Sequence, residues 1–227
     1  MDDKNVRKIE AGQKMEAHIH YLVAFIGGFL GLFPIVNVVN VLGSAQTTNL
    51  IEIVLAILVG DGDLLFFHGI GALIFSFAIF LATVIPKHTK LDIKFLAMIF
   101  DILCGIVMYF FPKNAPVITF LYPTFFALSF QWCAFRGAYG YVCSSIFSTN
   151  NLRMCISAFV EVFVNKDRTF MLKAKFFGAT LIAFHFGIIV SWVCWYFFGN
   201  RGFLAVIIPA FLCLLAVKKY NSIELPV

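Results

Sequence analysis

Long apolar runs with few charges dominate this sequence, and they leave it one solvent in which to fold. Leu64 to Ile85 carries no Asp, Glu, Lys or Arg, and neither does Ala115 to Phe135. A helix rises about 1.5 Å per residue and needs about 20 residues to cross a hydrocarbon core of about 30 Å. A soluble domain keeps about a quarter of its residues charged to face water. Here the charged share is 13% and the hydrophobic share 61% of 227 residues. The exterior must therefore be apolar, which places the chain in lipid. The 29 phenylalanines suit a lipid-facing surface.

The formal charge of +5 has its source at helix ends, where Lys and Arg mark the cytoplasmic side, so no nucleic acid is expected as a partner. No two of the cysteines Cys104, Cys133, Cys143, Cys155, Cys194 and Cys213 have CxxC spacing, and most lie in apolar runs. They read as small buried hydrophobes, neither a disulfide framework nor a metal site. Residues 1–17 are polar and of mixed charge, and the apolar run after them is too long for a cleaved signal. They are expected to form a cytoplasmic segment ahead of a retained anchor helix.

Spans are expected over Tyr21–Leu42, Leu64–Ile85, Leu91–Phe111, Ala115–Phe135, one within Phe170–Phe198, and Phe203–Val217. Two shorter stretches, Leu50–Val59 and Leu152–Val164, are too short to cross and read as half-spanning or interfacial helices. With both termini in the cytoplasm, only Lys113 and Arg201 of the 17 basic residues fall outside. Counting either short stretch as a crossing destroys that bias.

The chain also repeats itself. The polar knot Gln46-Thr47-Thr48-Asn49-Leu50 follows the first span, and Ser148-Thr149-Asn150-Asn151-Leu152 follows the fourth, at an offset that also carries Phe33 onto Phe135. Each knot opens a short helix, then a turn with Asp63 or Asp167, then two long spans. Three crossings per half is odd, so the second half enters from the opposite side. The expected fold is an all-α integral membrane protein. Its six transmembrane helices form two inverted three-helix repeats (18–113 and 114–219), each with an extra short half-helix, and 220–227 is a cytoplasmic tail. The knots are expected to approach each other near the midplane.

These residues resemble the YoaK family of bacterial membrane proteins, also described as domain of unknown function 1275. Its early F-x-G-G-[YF] run is matched by Phe25-Ile26-Gly27-Gly28-Phe29, and its Q-T-G-N knot by Gln46-Thr47-Thr48-Asn49. The second-half pattern is matched by Gln131, Phe135 and Arg136, then by Thr149-Asn150-Asn151-Leu152-Arg153. Thr48 and Asn150 replace the usual knot glycines, Gly31-Leu32 an Asp-Ala pair, and Trp132 an Asn. The resemblance implies a multi-spanning protein of no settled activity.

Polar groups at membrane depth are costly unless paired. The knots therefore supply the candidate substrate-binding residues: Gln46, Thr47, Thr48, Asn49, Gln131, Thr149, Asn150, Asn151 and Arg153. A helix starting at Thr48-Asn49 presents free N–H groups and a positive dipole end that can hold an anion, while ordinary N-capping by Thr and Asn explains the same residues. Arg136 and Arg153 read equally as cytoplasmic boundary charges. Glu52, Asp101 and Glu161 lie in apolar stretches and, with His185, are candidates for ion coupling, with Asp101 and His185 a possible pair. His68 reads as interfacial, and Asn37 and Asn40 as cavity-lining or interhelical groups. Gly27-Gly28 and Gly31 suit close helix packing.

No HExxH, GxSxG or GxxxxGK[ST] signature is present, and no catalytic residue, cofactor or metal is expected. The expected function is a small-solute transporter or permease of the cell membrane. Its partners are the lipid bilayer, a small polar or anionic solute and further copies of the chain. A non-transporting scaffold or sensor, and an intramembrane enzyme, are the alternatives.

Overall fold

A computed structural model describes residues 3–37, 41–112 and 114–223. Nine α-helices make up nearly all of this: α1 (Asp3–Gly31), α2 (Phe33–Val36), α3 (Gln46–Val59), α4 (Gly62–His88), α5 (Ile93–Phe110), α6 (Tyr122–Ala134), α7 (Thr149–Phe163), α8 (Met171–Phe198) and α9 (Ile207–Asn221). Short 3-10 segments lead into α6 (Val117–Leu121) and α9 (Gly199–Val206).

Local chemistry accounts for the breaks. Pro34 near the start of α2 lacks the N–H that would continue α1, and the helix is interrupted at Leu32. Gly60 ends α3 at φ 74°, a left-handed conformation that glycine adopts without strain. Asp61 then caps α4 by accepting from the Leu64 amide at 2.9 Å, and Asp92 caps α5 by accepting from the Lys94 amide at 2.8 Å. Between α6 and α7 lies a two-stranded hairpin, β1 (Gly137–Ala138) and β2 (Tyr141–Val142). Its turn residues Tyr139 and Gly140 both have positive φ, as the tight hairpin turn requires. This Ser- and Tyr-rich segment carries no alternating pattern, so nothing in the sequence announces a hairpin.

α1 is the central helix. Its most apolar window is 72% buried, against 22% for α4. It packs on α8 and α9, while α6 packs on α4 and α5, α3 on α4, α7 on α8, and α5 on α9. The α1–α8 approach is close: a Cβ on Gly28 would collide with the Phe184 carbonyl, and one on Gly187 with that of Phe25. Ser191 Oγ donates to the Phe29 carbonyl at 2.7 Å in the same seam. Phe29, Phe33, Phe130, Phe203, Met98 and Met108 fill the centre. Edge-on aromatic contacts, such as Phe33–Phe203 at 5.0 Å, set their spacing.

The outer surface is as apolar as the core. Leu58 on α3, Leu73 on α4 and Ile182 on α8 are more than 70% exposed. Five stretches are long and apolar enough to cross a membrane: Asn5–Val36, Gly62–His88, Ile93–Phe110, Val117–Ala134 and Arg168–Asn221. The last contains both α8 and α9, joined by the 3-10 segment that packs back against α8 and α5. These helices are those of a membrane protein.

Several boundaries differ from expectation. α1 begins at Asp3, well ahead of Tyr21, so most of the polar leader is helical and continuous with the span. At 29 residues it is about 44 Å long, more than a hydrocarbon core requires. α4 continues through Pro86 and Lys87 to His88, and the short helices begin at Gln46 and Thr149, with the knots as their first turns. Asn40 and Lys113 lie outside the described residues.

Candidate functional site

The segments that lead into α3 and α7 meet. Ser44, 1% exposed, donates from Oγ to the Ile146 carbonyl at 2.9 Å, across 102 residues of chain. That separation equals the offset between the two knots. By that offset Ser44 and Ile146 correspond, each two residues ahead of its knot. Gln131 on α6 adds to the crossing: its Nε2 donates to Ser145 Oγ at 2.9 Å and to the Val23 carbonyl at 3.2 Å. Gly27 on α1 lies so close to the Ser145 carbonyl that any side chain there would collide.

Three buried atoms of the knots and of α6 lack hydrogen-bond partners among the described residues: Gln46 Oε1, Gln131 Oε1 and Ser148 Oγ. Gln46 and Ser148 are also equivalent by the repeat offset, each the residue at the mouth of its short helix. Two are pure acceptors and one a hydroxyl. Left unpaired, each costs about 1–3 kcal/mol.

The other knot residues are arranged differently. Asn49, 2% exposed, donates to the His68 carbonyl at 3.0 Å, and its Oδ1 lies 2.8 Å from His68 Nδ1. His68 is therefore buried against α3. Asn151, also 2% exposed, folds back on its own knot. It donates to the Ser144 carbonyl at 2.6 Å and accepts from the Ser144 amide at 3.1 Å. Neither short helix has a side-chain cap, since Ala45 and Ser148 at the N-cap positions make no such bond. Thr47, Thr149 and Asn150 are exposed and Thr48 is half-buried. Arg153 is exposed and donates to Asn150 Oδ1 at 2.9 Å.

The four candidate ion-coupling residues do not converge. Asp101 on α5 is fully buried, and neither carboxyl oxygen has a partner among the described residues, so no hydrogen bond joins it to His185. His185 is exposed on α8, its Nδ1 turned to the Leu181 carbonyl at 2.8 Å. Glu161 accepts locally from Asn165 Nδ2 at 2.7 Å, and Glu52 is half-buried on α3. Among the described residues no group of His, Cys, Asp and Glu is placed to hold a metal, and all six cysteines are free.

Residues 19–218 match the family described as "Protein of unknown function (DUF1275)". The chain belongs to the DUF1275 family. No curated protein and no solved structure matches it.

In this DUF1275 chain, cavities open away from the knots, one by the middle of α1 and one by α2. One of about 200 Å³ is lined by Glu16 and His20 of α1, with Lys94 at the start of α5 and Ala134 to Gly137 at the end of α6. Another, of about 1000 Å³, lies by α2 and is lined by Asn37, Val117 and Phe120 ahead of α6, and Gly199 to Arg201 ahead of α9. There Asn37 Nδ2 donates to Asn200 Oδ1 at 3.2 Å, so Asn37 is both an interhelical and a cavity group. His20 and Asn200 escape a reading of the sequence. His20 sits at the edge of the apolar run, and its only signal is the i, i+4 spacing from Glu16, which puts both on one helix face.

Proposed function

We propose that this DUF1275 protein is a small-solute transporter of the cell membrane, with six crossings in two inverted halves and both termini in the cytoplasm. The solute site lies at the crossing of the two knots. The Ser44–Ile146 contact carries this reading, because it joins equivalent positions of the two halves deep in the protein. The helix pairings agree. Exchanging α1 with α6, α3 with α7, α4 with α8 and α5 with α9 turns the α1–α8 pairing into α6–α4, α1–α9 into α6–α5, and α3–α4 into α7–α8. The same exchange turns the elements around the Glu16 cavity into those around the Asn37 cavity. A pseudo-two-fold axis in the membrane plane through the knots has this consequence and puts one vestibule on each face. The conformation is then an occluded one, with Gln46, Gln131 and Ser148 as the inner polar groups.

The test is a thermal-unfolding screen of purified protein against small carboxylates, amides, amino acids and inorganic anions. Uptake of any stabilising compound into proteoliposomes follows. The expected result is one compound class that stabilises the protein and accumulates in vesicles, with both effects lost in Gln131→Leu. Proteoliposomes impermeable to every stabilising compound refute the reading.

A non-transporting scaffold is the second reading. The observation that favours it is the closure of Asn49 on His68 and of Asn151 on Ser144, which commits the two knot asparagines to internal bonds.

A further inference from the structure

The Glu16 cavity has a charge pattern that the knots lack. His20 lines it, is 1% exposed, and neither ring nitrogen has a hydrogen-bond partner among the described residues. A Phe176 ring 5.4 Å away contacts the imidazole and offers it no polar group. An unpaired buried donor costs about 1–3 kcal/mol, a penalty that a ligand at this place removes.

Two cations share the cavity wall. Lys94 is tied to Glu16, the one carboxylate there, at 3.9 Å. Arg136 makes no ion pair among the described residues, and it also lines two adjoining cavities of about 440 and 240 Å³. Its position is set by backbone geometry. Gly137 follows at φ 141°, and a Cβ there would collide with the Tyr141 carbonyl, so the hairpin directs the chain past the cavity mouth. A planar guanidinium fork, an ammonium and a buried imidazole N–H are the donors that oxyanions take. With two cations against one carboxylate, the lining carries net positive charge and favours an anion. The volume of about 200 Å³ admits an anion of phosphate or small-carboxylate size.

We infer that the cavity between α1, the start of α5 and the end of α6 is an oxyanion-binding site. In it, His20 donates from the buried wall and Arg136 and Lys94 flank the ligand. The site stands apart from the knot crossing and binds whether or not the protein transports. A free anion and the phosphate of an anionic lipid headgroup present the same chemistry, and separate measurements distinguish them.

The experiment titrates full-length protein in neutral detergent with phosphate and with succinate, reading thermal unfolding and calorimetric binding. It is repeated in phosphatidylcholine nanodiscs with and without phosphatidylglycerol. Arg136→Gln at an exposed position keeps the fold, His20→Phe keeps the ring volume, and the exposed Lys175→Gln controls for loss of a positive charge. The expected result is stabilisation of wild type and Lys175→Gln, with binding roughly tenfold weaker in both Arg136→Gln and His20→Phe. Stabilisation by phosphatidylglycerol alone, lost in the same two variants, supports the site with a lipid headgroup as its ligand. Equal responses of wild type and Arg136→Gln overturn the inference, as does a wild type that responds to neither anion nor lipid.

Discussion

Ser44 Oγ lies 2.9 Å from the carbonyl oxygen of Ile146, and their sequence separation of 102 equals the interval at which the chain repeats its polar knot. One hydrogen bond thus joins two positions that correspond by that interval. It is buried, with Ser44 1% and Ile146 0% exposed, where an unmade bond carries its full desolvation penalty. Ser44→Ala leaves the Ile146 carbonyl without this donor. It is expected to lower unfolding stability by about 1–3 kcal/mol, read as a fall in melting temperature of the detergent-solubilised protein. An unchanged melting temperature would show that the two segments do not meet.

The knot residues divide into two kinds with opposite responses. Asn49→Ala and Asn151→Ala remove internal bonds, to His68 and to Ser144, and are expected to cost about 1–3 kcal/mol each by the same measurement. The Gln46 carboxamide oxygen is buried with no partner among the described residues, so Gln46→Leu is expected to leave stability unchanged or to raise it by up to about 1–3 kcal/mol. If Gln46 serves a solute, that same variant loses ligand-induced stabilisation. A large loss of stability in Gln46→Leu contradicts this division.

Glycines report on helix approach. Gly28→Ala and Gly187→Ala each force α1 and α8 apart against a backbone carbonyl and are expected to cost more than about 2 kcal/mol, with little monodisperse protein on size exclusion. Gly69 lies inside α4 with no atom near its added Cβ, and Gly69→Ala is expected to stabilise by about 0.5–1 kcal/mol through helix propensity. Similar behaviour of all three variants would remove the α1–α8 seam from the account.

Topology is checked by cysteine labelling. Lys90→Cys, between α4 and α5, and Arg201→Cys, between α8 and α9, are at exposed positions. In oriented membrane vesicles an impermeant maleimide is expected to label the two from opposite sides. Labelling of both from one side refutes the inverted arrangement.

Asp101 gives a further measurement. A buried carboxyl without a counter-ion or hydrogen bond is a poor element of stability, so Asp101→Asn is expected to match or exceed wild type in melting temperature. Under the transport reading it loses ion-coupled uptake while keeping the fold. A sharp loss of stability in Asp101→Asn shows a structural partner that the described contacts lack.

The sequence by itself determined what is local or summed along the chain. Apolar runs located the long helices, though not the start of α1 far ahead of its run, because transfer of a segment into lipid is close to a sum over its residues. Turn chemistry at Gly60-Asp61 and the offset of the two knots were visible for the same reason. What no single stretch encodes is which side of a helix meets which neighbour. The turning of Asn49 and Asn151 inward, the separation of Asp101 from His185, and the burial of His20 beside Arg136 were decided by the packing of α1 among α6, α8 and α9. In lipid both sides of a helix are apolar, so hydrophobic periodicity says little about which face points inward. Close glycine contacts and buried hydrogen bonds make that choice, and they exist only once the helices have packed.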